Sequence, residues 1–170
     1  MPGIKAVAIG RAARRSPVTR RTRCLSGLRK NSFAISVMLL VQYGLGMGVN
    51  LYARVPAADQ GAGIIAALGR TLISQPVVLA VHATLGLLML VAGFSVLVRA
   101  IVARHRPAIA SSAAGLAAIA AAAFSGATFV SNGQDGASMA MAILTGVALL
   151  CYLANLLVAG PPATPGSERR

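Results

Sequence analysis

The sequence is poor in acidic residues and in charge altogether. Its 170 residues include three Asp or Glu, and charged residues make up 11% of the chain, about half of the fraction usual in a soluble domain. Trp is absent, and aromatic residues amount to 4%. So little charge excludes an ordinary water-soluble domain, whereas a hydrophobic fraction of 56% is typical of a protein embedded in lipid.

Cysteine is also scarce, and no catalytic motif stands out. Cys24 lies in a basic segment and Cys151 lies inside an apolar run, so the two are not expected to meet in a disulfide. Neither cysteine has the spacing of a metal site. We therefore expect a non-enzymatic role.

Four long uncharged runs dominate the chain. They lie at about residues 33–53, 77–98, 108–130 and 138–159, and a helix needs about 20 residues to cross roughly 30 Å of hydrocarbon. The sequence thus predicts an all-α fold, a transmembrane four-helix bundle. The third run is mostly Ala and is expected to insert mainly as a partner of the fourth.

The segments outside these runs have different expected structures. Residues 1–32 form a basic arm that is expected to be largely disordered, and residues 160–170 form a disordered tail. The connection between the first two runs is long, and its segment GAGIIAALGRTLIS is expected to form a short helix on the membrane surface.

The distribution of Lys and Arg predicts the orientation. With four spans, residues 1–32, the loop at 99–107 and the tail share one side, which holds fourteen Lys or Arg and one acid, Glu168. The other side holds two Arg and two Asp, so the whole net charge of +13 lies on the first side. Because positively charged loops stay in the cytoplasm, both termini are predicted to be cytoplasmic, and the expected location is the bacterial inner membrane.

The same charges indicate partners. The basic arm carries nine Lys or Arg and no acid, and each charge near an anionic leaflet adds about 1 kcal/mol of attraction. Anionic lipid is therefore its expected partner. Nucleic acid is not, because the arm lacks aromatic side chains that stack on bases. Small residues on the spans also suit a membrane protein partner or a homodimer.

Polar side chains within the spans form the candidate site, because polar groups in hydrocarbon are costly and usually face the bundle interior. Gln42, Gly46 and Asn50 share one face of the first span, and His82 and Gly86 share a face of the second. By depth, polar groups concentrate in the outer-leaflet half, and the inner half is expected to be plainer. The predicted binding residues are His82, Gln42, Asn50 and Met139.

Haem b is one candidate cofactor. If it is bound, His82 is the expected ligand of the iron. His105 lies 23 residues further along, roughly 34 Å away if the helix continues, so one chain does not supply two imidazoles at one depth. The iron would be held by His82 with Met139 or Met141, by His82 alone, or by His82 of two chains. The alternatives are a neutral His82 bonded between helices and methionines that only pack.

Three strings carry a resemblance to known proteins: VQYGLGMGVNLY, HATLGLLMLVAG and SGATFVSNGQDGASMAMAI. They resemble uncharacterised four-span small membrane proteins of actinobacterial type, over about residues 35–158. The glutamine and glycines of the first span, with His82 and Gly86 on the second, are more distantly similar to one half of haem A synthase, a four-helix haem-handling membrane protein. That similarity implies haem ligation by His82, although Ser138 and Met139 stand where the second His of that family is expected.

Three functions fit these observations. The first is a non-enzymatic membrane protein that binds a partner complex, a lipid or a cofactor through the polar cluster. The second is a b-type haem- or quinone-binding redox protein centred on His82. The third is a small transporter, which the lack of charged side chains within the spans disfavours.

Overall fold

The computed structural model describes residues 17–52, 66, 69, 77–132 and 135–158. In these ranges the chain forms four long α-helices, which are α1 (Pro17–Tyr52), α2 (Val77–Val102), α3 (Arg106–Asn132) and α4 (Asp135–Val158). Each is long and apolar enough to cross a membrane. The prediction of an all-α fold with four candidate spans is thereby confirmed for the described residues.

The apolar stretches have the following bounds: Leu25–Val49, Val77–Val102, Arg106–Ser131 and Gly136–Val158. The first stretch starts earlier than the predicted run at 33–53. The predicted surface helix in the connection after α1, the first sixteen residues and the C-terminal tail lie outside the described residues, apart from the isolated helical positions 66 and 69.

The sequence predicts a largely disordered arm at residues 1–32, whereas α1 begins at Pro17 and residues 17–32 are helical. Proline suits the first turn of a helix, where its missing N–H is not needed. Residues 18–26 contain neither Gly nor Pro, so nothing interrupts the helix there. With 36 residues, α1 is roughly 54 Å long and exceeds the thickness of the hydrocarbon layer.

The helices form an antiparallel bundle in which each contacts the next along the chain and α1 contacts α4. Gly46 lies against His82 and Gly27 lies against Arg99, which shows that α1 and α2 run in opposite directions. We call the end with the α2–α3 turn the basic end, because every described Lys and Arg lies in residues 20–30 or 99–106. The opposite end is called the far end.

The α2–α3 turn at the basic end is a Schellman cap. The Arg104 amide donates to the Ile101 carbonyl at 2.9 Å, and the His105 amide donates to the Ala100 carbonyl at 3.4 Å. Arg104 has a φ of 52°, a left-handed conformation that glycine usually supplies. His105 then leads into α3, and its Nδ1 accepts a hydrogen bond from the Ala108 amide at 3.4 Å.

The half of the bundle nearer the basic end holds a closely packed core. Tyr152 of α4 is fully buried there between two glycines. A Cβ on Gly93 of α2 would lie 2.7 Å from the Tyr152 hydroxyl, and one on Gly115 of α3 would lie 2.9 Å from its ring. The helices approach closely because these two positions carry no side chain. Other fully buried side chains of this core are Leu28, Ile35, Leu39 and Val96.

Gly115→Ala is expected to destabilise the bundle, because the added methyl group would overlap the Tyr152 ring. Overpacking of this kind costs about 1–3 kcal/mol. Thermal unfolding in detergent, followed by circular dichroism, measures the effect. Gly146→Ala on α4 is the control, since a Cβ there meets nothing within 4 Å. Equal melting temperatures for the two variants would contradict this packing.

Candidate functional site

The far half of the bundle contains a cavity of about 390 Å³ that all four helices line. Its wall is mostly apolar. Facing positions in the wall are small on every helix, with Gly46 on α1, Gly86 on α2, Ala122 on α3 and Ala142 on α4. Such short side chains do not fill the space between four helices, so the cavity follows from the placement of glycine and alanine in the sequence.

Gln42 of α1 and His82 of α2 are polar side chains in this wall. The Gln42 Nε2 donates to the main-chain carbonyl of His82 at 2.9 Å and lies 3.3 Å from the His82 Nε2. Gln42 is 8% exposed and His82 is half-buried. The pair therefore links α1 to α2 by hydrogen bonds within otherwise apolar helices, where such a bond contributes about 0.6 kcal/mol on average.

Each of these two side chains rests on a glycine of the opposite helix. A Cβ on Gly46 would lie 3.2 Å from the His82 Cε1, and a Cβ on Gly86 would lie 3.4 Å from the Gln42 Nε2. Gln42 and Gly46 are four residues apart, as are His82 and Gly86. Because the two helices are antiparallel, this equal spacing sets each polar side chain over the glycine of the other helix.

The contacts of Gln42 determine which ring nitrogen of His82 carries the proton. The atom of Gln42 that faces the His82 carbonyl must be the amide nitrogen, because a carbonyl accepts only from a donor. The same NH₂ group also faces the His82 Nε2, which must therefore be an acceptor without a proton. His82 is thus neutral with its proton on Nδ1, since an imidazolium would set two donors face to face.

Two buried atoms of the pair have no hydrogen-bond partner among the described residues, namely the His82 Nδ1 and the Gln42 Oε1. In the assigned tautomer the first is a donor and the second is an acceptor. Leaving a buried polar group unpaired costs about 1–3 kcal/mol. A ligand that supplies an acceptor and a donor would recover this free energy.

The structure brings together two of the four predicted binding residues, Gln42 and His82. Met139 is 68% exposed on the surface of α4 and does not line the cavity. Met141 lines it instead, and its sulfur lies 3.1 Å from a Cβ built on Gly126. The side chain of Asn50 lies outside the described residues.

The residues weighed as haem ligands lie in different parts of the bundle. The His82 Nε2 lies 3.3 Å from the Gln42 Nε2, Met139 faces away from the cavity, and Met141 lines the cavity together with His82. His105 caps α3 at the basic end. Within the described ranges, moreover, no three His, Cys, Asp or Glu side chains are grouped so as to hold a metal ion.

A second polar cluster lies toward the basic end, where the sequence predicts a plainer interior. Asn155 is fully buried. Its Nδ2 donates to the Ser112 Oγ at 3.0 Å, and its Oδ1 accepts from the Ser111 Oγ at 2.7 Å. The signal that could have revealed it is Asn155 itself, an amide inside the last uncharged run, where hydrocarbon requires it to find partners. The cluster ties α3 to α4.

The tautomer of His82 is testable by NMR with ¹⁵N in the histidine rings, at about pH 8, above the range in which histidine ordinarily titrates. His82 should carry its proton on Nδ1. His105 should carry it on Nε2, because its Nδ1 accepts from the Ala108 amide. Gln42→Leu is expected to remove the preference of the His82 proton for Nδ1 and to leave the tautomer of His105 unchanged. A proton on Nε2 of His82 in the wild type would contradict the assignment.

In comparisons with known proteins, no family model, no curated protein and no solved structure matches the chain. The resemblance to actinobacterial four-span proteins and the distant similarity to haem A synthase stay predictions.

Proposed function

We propose that this chain is a small multi-pass membrane protein that binds a lipophilic small molecule in the cavity between its four helices, without catalysing a reaction. The cavity carries the proposal. Its volume of about 390 Å³ lies in the usual range of small-molecule sites, and its apolar wall suits a molecule drawn from the bilayer.

The polar anchors of this site are Gln42 and His82. Thr145 also lines the cavity, but its hydroxyl donates to the Met141 carbonyl at 2.8 Å. The Gln42 Oε1 and the His82 Nδ1 are buried without a partner among the described residues, so we assign them to the ligand. An apolar wall with a few convergent polar groups is the usual design of a small-molecule site.

The ligand enters from the lipid. Tyr43 and Met47 of α1 and Phe124 of α3 belong to the wall and are 48%, 47% and 61% exposed. These side chains reach the bundle surface, so the cavity opens toward the hydrocarbon. A lipophilic molecule then reaches the site without passing through water.

We further propose that the basic end lies in the cytoplasm of a bacterial cell and that the cavity lies in the outer-leaflet half. Support comes from the position of the described Lys and Arg, all of which fall in residues 20–30 and 99–106. The positive-inside rule assigns such an end to the cytoplasm. The basic N-terminal part of α1 then meets anionic lipid head groups.

Filling the cavity tests the binding function. Ala122→Leu adds bulk to the wall. It is expected to reduce the amount of lipophilic molecule that co-purifies with the protein at least several-fold. Ala121→Leu is the matched control, because Ala121 is exposed and lies outside the wall. Mass spectrometry of organic extracts compares the two, with the melting temperature as a check on folding. Equal amounts bound to both folded variants and to the wild type would contradict the proposal.

Cysteine labelling in intact cells tests the orientation. Cys24 and Cys151 are first replaced by alanine, and Asp135→Cys and Arg104→Cys are then made separately in this background. A membrane-impermeant maleimide is expected to modify position 135 at the far end and to spare position 104 at the basic end. The reverse pattern would overturn the orientation.

A further inference from the structure

We propose that the ligand of the cavity is a quinone or its quinol, with the ring held in the apolar wall and the oxygen atoms bound by the Gln42–His82 pair. This inference rests on the proposed function, since it assigns a chemical class to the ligand of the same cavity. The charge, the hydrogen-bonding groups and the shape of the cavity wall each limit which chemical classes of ligand fit.

Charge excludes lipids with a phosphate head group. The described residues of the wall include no Lys, Arg, Asp or Glu, and His82 is neutral in the tautomer that Gln42 selects. A phosphate is ordinarily bound by cationic side chains. The described Lys and Arg lie at the opposite end of the bundle. The head group that enters the cavity is therefore uncharged.

Hydrogen bonding calls for a group that accepts in one state and donates in another. The His82 Nδ1–H is a donor, which suits the carbonyl oxygen of a quinone. The Gln42 Oε1 is an acceptor, which suits the hydroxyl of a quinol. A pure hydrocarbon satisfies neither atom, whereas a quinone and its reduced form together use both.

The wall also suits a flat ring. Tyr43, Phe124 and Phe129 line the cavity, and they are three of only seven Phe and Tyr in the chain. Aromatic side chains favour stacked or edge-on contacts with another planar ring. The opening beside Tyr43 and Met47 lets an isoprenoid tail leave toward the lipid.

A matched pair of ligands tests the proposal, namely 2-methyl-1,4-naphthoquinone and 2-methylnaphthalene, which differ in the two carbonyl oxygens. The full-length protein is reconstituted in phosphatidylcholine–phosphatidylglycerol nanodiscs, with empty nanodiscs as the partition control. The wild type is expected to prefer the quinone by about tenfold, the equivalent of one well-made hydrogen bond. In ¹⁵N NMR the quinone should shift the His82 Nδ1 resonance and leave His105, at the basic end, unmoved.

Three variants make the outcome decisive. His82→Phe keeps a ring but removes the donor, so it should still bind the hydrocarbon and lose the preference for the quinone. Gln42→Leu is the second variant for this test, in case His82→Phe does not fold. In Gln42→Leu the His82 ring is no longer held in the tautomer with its proton on Nδ1. The preference for the quinone over the hydrocarbon should therefore weaken. Ala122→Leu should bind neither ligand.

Each failure points to one of the two proposals. If the wild type binds both ligands equally, or if the preference survives in both His82→Phe and Gln42→Leu, the quinone assignment is overturned and the cavity function stands. If the wild type binds neither ligand and its extracts contain no other lipophilic molecule, the proposed function falls as well. A quinone that binds without moving the His82 resonance would overturn the role of Nδ1.

Discussion

The hydrogen bond between Gln42 and His82 is the constraint around which the far half of the bundle is arranged. Water is not available in hydrocarbon to satisfy an amide or an imidazole, so each must find its partner on another helix. The Gln42 amide reaches the His82 backbone at 2.9 Å beside Gly86, and Gly46 leaves room for the imidazole. The four residues fix the register of α1 against α2.

The two halves of the bundle differ in how closely they are packed. Toward the basic end, large side chains such as Leu28, Ile35 and Tyr152 are fully buried, and glycines opposite Tyr152 let the helices close around it. Toward the far end, small residues recur on all four helices and leave a cavity. Close packing in one half stabilises the fold, and the other half is left unfilled.

The sequence predicts the four helices because long uncharged runs have few other solutions, and it places Gln42 and His82 in one polar cluster because polar residues turn inward. It does not predict which of Met139 and Met141 faces the cavity. Both faces of a membrane helix are apolar, so no contrast marks the interior. The sequence analysis does not predict that residues 17–32 are helical, for a different reason. A segment rich in Arg is typical of solvated coil, and the helix is indicated only by Pro17, which suits a first helical turn.

The tight α2–α3 turn determines how these two helices are joined. Arg104 holds a left-handed conformation that costs an L-residue about 1–2 kcal/mol, yet it keeps a positive charge within a connection of only three residues, 103–105. So short a link holds the adjoining ends of α2 and α3 side by side. The alanine-rich α3 and the more apolar α2 are therefore the two arms of one hairpin.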